Sequence, residues 1–133
     1  MTLIKLLIID EDNEYSISLC NFLTHSYSET FAVYYCKDLN DINNSIKKID
    51  PNVILSSEKY YCEIKNYTNI DLILLSSLKN PETTIKTDYI YKYKDVNQIA
   101  LEIINIHTTT GNKIYNTGGR ILKWFRFFQP PEM

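Results

Sequence analysis

The feature that most constrains the fold of this chain is a regular alternation of short aliphatic runs with amphipathic segments of helical period. The strand-like runs, rich in β-branched, leucine and aromatic residues, are residues 3–9, 31–35, 53–55, 70–75 and 88–91. The helix-like segments, whose apolar side chains recur three and four positions apart, are residues 14–24, 39–49 and 96–106. Alternating strands and helices form a parallel sheet with right-handed crossovers. The sequence therefore predicts an α/β three-layer sandwich.

Capping residues and connection lengths predict the helix boundaries. Asp38 is a candidate N-cap for the second helix and Pro51 ends it. Asp95 begins a capping box for the last helix. The connections at residues 58–69 and 78–87 are hardly long enough for helical crossovers. We therefore expect five helices, of which the third and fourth are short or irregular.

Length and composition predict one soluble domain in a reducing compartment. The chain has 133 residues with 44% apolar content, enough for a single core. It has no apolar run of membrane-spanning length, and its first residues lack the layout of a secretory signal. Its three cysteines, Cys20, Cys36 and Cys62, are unclustered, which favours buried thiols over a zinc site and predicts a cytoplasmic location.

Charge divides the chain into an acidic body and a basic end. Residues 1–110 hold ten lysines against fifteen acidic residues, a net charge of −5, whereas residues 111–133 carry +3. An acidic body argues against nucleic acid as a partner. We predict a domain over 1–110, then a linker from Thr108 to about Arg120 and a basic aromatic tail. The tail is expected to belong to a truncated next domain or a non-native segment, since residues 121–128 are too short to favour a membrane anchor.

Polar residues gather where the predicted strands end, which is where open α/β sheets place their sites. These residues are Asp10, Glu11, Asp12, Ser56, Ser57, Ser76, Ser77 and Lys92. No glycine precedes Gly111, so the chain lacks the glycine-rich loops that bind nucleotides. The three acids after the first strand would also repel an anion. Composition thus excludes the common nucleotide-binding enzymes of this fold class.

Four of these segments, in order, resemble the receiver domains of bacterial response regulators over residues 3–107. Residues 7–12 are similar to the receiver segment that holds the Mg²⁺-binding acidic pair, here Asp10 and Glu11. Ser57 ends the strand that carries the phosphoacceptor in receivers. Ser76 matches the switch Thr/Ser, and residues 89–92 match the segment with the switch aromatic, Tyr89, and the invariant lysine, Lys92. The resemblance implies a five-stranded sheet of order 2-1-3-4-5.

The departures from the receiver pattern bear on function. Ser57 stands where the family has aspartate, and a hydroxyl forms no acyl phosphate. Asp10 and Glu11 then either hold Mg²⁺ weakly or serve only to cap the first helix. Lys92 is expected to form a structural ion pair with one of them. Tyr93 replaces the proline that usually follows the lysine.

The resemblance implies a degenerate receiver, without enzymatic activity, that acts as a phosphorylation-independent interaction or localisation module. In receivers the face of the fifth strand and last helix mediates dimerisation, so we expect a protein partner or second copy at Tyr89, Tyr91, Ile99 and Ile103. Such domains begin some pilus-assembly ATPases.

The alternative is a working phospho-receiver. It would use a displaced acceptor at Ser56, Ser76 or Glu58, or bind a small ligand in the acidic pocket.

Overall fold

One five-stranded parallel sheet forms the centre of the molecule. The computed structural model describes residues 3–64, 67, 69–79 and 88–115, the last six by their backbone alone. The strands are β1 (Ile4–Ile9), β2 (Phe31–Tyr35), β3 (Val53–Ser57), β4 (Asp71–Ser76) and β5 (Tyr89–Tyr91). They are hydrogen-bonded in the order β2-β1-β3-β4-β5, with every pair parallel. The predicted sheet and strand order are confirmed.

Helices cover both faces of the sheet and create two cores. The helices are α1 (Asn13–Ser26), α2 (Ile42–Ile49), α3 (Glu58–Ile64) and α4 (Val96–Tyr115). Side chains of β1 alternate between the cores: Leu6 and Ile8 pack with α1 and α4, whereas Leu7 and Ile9 pack with α2 and α3. Burial on both faces explains why this strand is a continuous aliphatic run.

The helix ends follow local capping chemistry. Asp12 caps α1, its side chain accepting a hydrogen bond from the Tyr15 N–H at 3.1 Å. The prediction that Asp38 caps α2 is wrong: Asp41 is the N-cap, and the Asp38 carboxylate accepts instead from the Asn40 N–H in the turn before it. Asp50 ends the helix in the left-handed region at φ 55°.

The crossovers vary in length along the chain. Helix α3 has seven residues, as short as predicted. The helix predicted at residues 78–87 falls mostly outside the described residues, so α4 is the fifth helix of the sequence prediction. Its backbone is helical through Tyr115. The linker predicted from Thr108 therefore begins within a helical stretch, and the tail beyond residue 115 lies outside the described part of the chain.

The helices of the described ranges carry no candidate membrane span. None of them combines the length and the apolar content that a bilayer crossing requires.

Candidate functional site

The carboxyl ends of four strands bring the predicted pocket together. Asp10 follows β1, Ser57 ends β3, Ser76 ends β4 and Lys92 follows β5, and all four side chains are buried. The β3–β4 register sets Ser57 beside Leu75, and the Lys92 N–H donates to the Ser76 carbonyl at 2.7 Å. Parallel pairing in a single register thus collects residues that are far apart in sequence at one edge of the sheet.

A buried ion pair occupies the middle of this pocket. The Lys92 ammonium lies 3.1 Å from Asp10 Oδ1 and 3.0 Å from Oδ2. Asp10 Oδ1 also accepts from the Asp12 N–H at 2.7 Å, which ties the carboxylate to the start of α1. The carboxylate is fully enclosed and the ammonium almost so. Of the two pairings that the sequence allowed for Lys92, the structure forms the one with Asp10.

Burial and pairing act on both groups of this ion pair. Desolvation raises the pKa of Asp10, because burial disfavours the charged carboxylate, and the Asp12 N–H together with the hydrogen bond and charge of Lys92 offsets only part of that effect. For Lys92, desolvation lowers the pKa, but the hydrogen bond and charge of Asp10 outweigh it, so the pKa of the ammonium is raised. Lys92 is therefore a fixed cation in the pocket.

A second contact joins the acidic loop to the strand that would carry the phosphoacceptor. The Ser57 hydroxyl donates to Glu11 Oε1 at 2.7 Å. Partial burial alone would raise the pKa of Glu11, but this hydrogen bond, a backbone N–H and the charges of Lys92 and Lys59 hold it below its usual value. Glu11 itself is exposed at the mouth of the pocket. Ser57 thus acts as a donor toward a carboxylate rather than as a carboxylate itself.

The two serines proposed as displaced acceptors are in different settings. Ser56 is fully buried and donates to the Ser57 carbonyl at 3.0 Å. Ser76 donates to the Leu78 carbonyl at 2.7 Å and accepts from the Leu78 N–H at 3.0 Å, which closes a local turn. Its hydroxyl also lies 3.4 Å from Glu58 Oε2. Glu58, the third proposed acceptor, therefore reaches the pocket from the first residue of α3.

Solved structures with the same fold include receiver domains. The chain is 17% identical to the N-terminal domain of the nisin resistance regulator NsrR, covering 77% of this chain and 97% of that one with a TM-score of 0.61. It is 27% identical to a receiver-modulated diguanylate cyclase from Pelobacter carbinolicus, covering 80% and 99%, with a TM-score of 0.57. The chain has the receiver fold of response regulators.

A further solved structure with this fold is a pseudo-receiver domain. The pseudo-receiver domain of the CikA protein matches at 14% identity, covering 77% of this chain and 96% of that one, with a TM-score of 0.50. Protein-family models and curated proteins gave no match.

One residue of the receiver pocket was missed by sequence reasoning. The Tyr15 hydroxyl donates to the Lys92 carbonyl at 2.8 Å, and its ring lies 4.8 Å from the ammonium. The Tyr93 ring approaches the same ammonium at 5.7 Å. Burial first, and then the charge of Asp10, raise the pKa of Tyr15, so its hydroxyl stays protonated and donating. No local pattern marks a contact that spans 77 positions.

Of the four residues predicted to form the interaction face, the two on β5 are accessible and the two on α4 are buried. Tyr89 is 40% exposed and Tyr91 is half-buried, and both line a groove of about 570 Å³ along β5. Ile99 and Ile103 are fully buried against the sheet, because the apolar stripe of α4 is the side that packs the core. The helix instead offers polar side chains to the groove, including Glu102, which is ion-paired with Lys94.

The acidic loop offers few ligands to a cation. Within the described ranges, no three His, Cys, Asp or Glu side chains lie close enough together to hold a metal ion. One of the two predicted carboxylates, Asp10, already faces Lys92, and the other, Glu11, accepts from Ser57. A hard divalent ion takes several oxygen ligands, with carboxylate or phosphate among them. The donor set here fits Mg²⁺ poorly.

Proposed function

We propose that this chain is a degenerate receiver domain that works as a phosphorylation-independent interaction or localisation module in signalling or assembly. The observation that carries the proposal is Ser57 in the acceptor position, bonded through its hydroxyl to Glu11. A serine hydroxyl is a weak nucleophile unless a neighbouring base activates it. Glu11 is a poor base for that purpose, since its pKa is held below the ordinary range.

The hydrogen bonding of the pocket supports the same proposal. Lys92 pairs with Asp10, Ser57 with Glu11, and Ser76 with the backbone of Leu78. Each polar group that would contact a phosphoryl group in a working receiver thus already has a partner from the chain. The paired groups of such a pocket stabilise its structure and do not form an acceptor site. We propose that it binds Mg²⁺ weakly at most and that the chain has no enzymatic activity of its own.

A phosphorylation assay tests this directly. The full chain is incubated with Mg²⁺ and a small-molecule phosphodonor such as acetyl phosphate, and its intact mass is measured. We expect no Mg²⁺-dependent gain of a phosphoryl group. The matched control is Ser57→Asp, which restores a carboxylate at the end of β3 and is expected to gain one. A stoichiometric gain by the unaltered chain would overturn the proposal.

The binding face in this proposal is the groove along β5. Its tyrosines combine an apolar ring with a polar hydroxyl, a composition enriched in interface cores. Tyr89 and the 62%-exposed Tyr93 lie beside it, and Tyr91 packs edge-to-face on Tyr93 at 5.7 Å. We propose that a protein partner or a second copy docks there.

Sedimentation velocity tests the second copy. Tyr89→Glu is expected to weaken self-association, whereas Tyr34→Glu is the matched control, since Tyr34 is 41% exposed on the opposite edge strand. Equal effects of the two substitutions would remove β5 as the dimer face. If the chain is a monomer at all concentrations, the partner that docks at this face is a different protein.

A second candidate function follows from Glu58. Its carboxylate lies within 3.4–3.5 Å of the hydroxyls of Ser76 and Ser77, so an acid does border the pocket next to the missing acceptor. A working receiver would then carry its phosphoryl group on Glu58. If phosphorylation is observed, Glu58→Gln distinguishes this case, because it abolishes the mass gain while Glu63→Gln, on the same short helix, leaves it unchanged.

We also propose a cytoplasmic location and no nucleic-acid partner. All three cysteines are free thiols, and Cys36 is buried, which supports a reducing cytoplasm. The acidic body supports the absence of nucleic acid from its partners. A domain of this type is suited to stand before another domain in a larger signalling or assembly protein.

A further inference from the structure

The strand β2 is an open edge of the sheet, on the side opposite to β5. Among the residues that the structure describes, it pairs only with β1, in a parallel register that sets Lys5 beside Ala32. An open edge presents backbone N–H and C=O groups to whatever lies beside it. The edge is bordered by α1 on one face of the sheet and by α2 on the other, which leaves a groove of about 740 Å³ along the strand.

The ladder shows which backbone groups of β2 face this groove. The Thr30 carbonyl and the Cys36 N–H bond to β1. The backbone N–H and C=O groups of the alternate residues 31, 33 and 35 therefore point away from β1. The outward carbonyl of Val33 accepts from the Cys20 thiol at 3.6 Å at the groove wall. The N–H groups of Val33 and Tyr35 are directed into the groove, in the spacing that an added strand would use.

Cations lie at both ends of the groove. Lys5 and Lys48 stand at the end where β2 begins, and the Lys5 ammonium donates to the Ile49 carbonyl at 3.1 Å. Lys37 follows β2 at the other end, its ammonium 5.9 Å from the Tyr35 ring. Five residues of strand separate these ends, roughly 16 Å. Among the described residues that line the groove, three lysines face a single acid, Asp38, in a body whose net charge over residues 1–110 is −5.

We propose that the β2 edge binds an acidic peptide segment of a partner protein in extended conformation, added to the sheet as a sixth strand. Backbone pairing to the N–H groups of Val33 and Tyr35 supplies affinity that does not depend on sequence. Carboxylates near the two ends of the segment meet Lys37 and the Lys5–Lys48 pair, which selects acidic sequences. The 41%-exposed Tyr34 supplies an aromatic contact between them.

Charge argues against the two other occupants that the chain offers. The segment 111–133 of this chain carries +3 and would be repelled by the lysines. A second copy paired edge-to-edge through β2 would set Lys37 of one molecule near lysines of the other. The site is separate from the β5 groove and from Ser57, so this proposal and the proposed function can fail independently.

Fluorescence anisotropy with a labelled peptide of alternating glutamate and valine tests the proposal on the full chain. We expect saturable binding that the double variant Lys37→Glu/Lys48→Glu weakens about tenfold, as expected when two exposed ion pairs are replaced by repulsion. The matched control is Lys47→Glu, an exposed lysine on the same helix that borders a different pocket. In amide exchange measured by NMR, the Val33 and Tyr35 N–H groups gain protection when the peptide is present.

Two control peptides separate pairing from simple attraction of anions. A peptide with lysine in place of glutamate is expected not to bind, and a peptide of the same charge with proline in place of valine is expected to bind far more weakly, because proline lacks the N–H that strand pairing needs. Equal binding of the proline peptide, equal losses for Lys47→Glu and the double variant, or no binding by the first peptide would each overturn the proposal. If the lysines serve only to protect the open edge from aggregation, the glutamate–valine peptide does not bind.

Discussion

Replacing Lys92 by methionine removes one partner of the buried ion pair and leaves the other charge without a counterion. The Asp10 side chain exposes 0% of its surface and the Lys92 side chain 8%, so water does not replace the lost contact. Breaking a buried pair in this way costs about 3–5 kcal/mol, out of a total stability of about 5–15 kcal/mol for a domain of this size. We expect a loss near 3 kcal/mol, because the Asp12 N–H still serves the carboxylate at 2.7 Å.

Urea unfolding at neutral pH measures this loss, with the double variant Asp10→Asn/Lys92→Met as its partner. The double variant has no buried charge, and its asparagine keeps an acceptor for the Asp12 N–H. We expect it to recover most of the stability and to lie within about 1.5 kcal/mol of the unaltered chain. A loss below about 1 kcal/mol for Lys92→Met alone, or a double variant as unstable as the single one, would refute the reasoning.

The pH dependence of the same variant gives a second check. Burial already raises the pKa of Asp10 in the folded state, and removal of the ammonium raises it further. A folded state that binds the proton more tightly than the unfolded state loses stability as pH rises through the folded pKa. The defect of Lys92→Met is therefore expected to shrink as pH falls toward the unfolded pKa of about 3.9. A defect that is constant with pH would contradict this.

Three further predictions concern single side chains. Asp12→Ala removes the N-cap of α1 and is expected to cost about 1 kcal/mol in urea unfolding, and a change of only a few tenths would contradict the capping role. Asp50→Gly relieves the left-handed residue after α2 and is expected to stabilise the chain by about 0.5–1 kcal/mol, so a lower midpoint would argue against strain there. Ser57→Ala is expected to raise the pKa of Glu11 toward its usual value in an NMR titration; since a lowered carboxyl pKa gives stability that is lost on acidification, the variant also loses less stability as pH falls.

The fold and the pocket could be predicted because both follow from features that repeat along the chain. A strand buried on two faces must be aliphatic throughout, and this signature marked β1 and β3 within two residues of their bounds. Parallel strands bring their carboxyl ends to one edge, so Asp10, Ser57 and Lys92 could be placed together without any knowledge of their distances.

The same patterns do not predict which residues of an element face solvent or which residue caps it. The spacing of Ile99 and Ile103 identified α4 because these side chains pack the core, and for that reason they are absent from the surface. Asp38 and Asp41 both fit a cap by residue type. The choice between them depends on Ile42, which begins the buried face directly after Asp41. The contact of Tyr15 with Lys92 depends on the final packing and leaves no mark in the sequence.

The turn closed by Ser76 has a consequence for how a cell would control such a domain. Its hydroxyl is engaged by the carbonyl and the N–H of Leu78, so the residue that would report a change in the pocket is tied to its own loop. Under the proposed function, the domain has one binding-competent form and no chemical input that selects another. The fraction of partner bound then follows mass action, so synthesis, turnover and folding stability of the chain become the quantities by which its output is regulated.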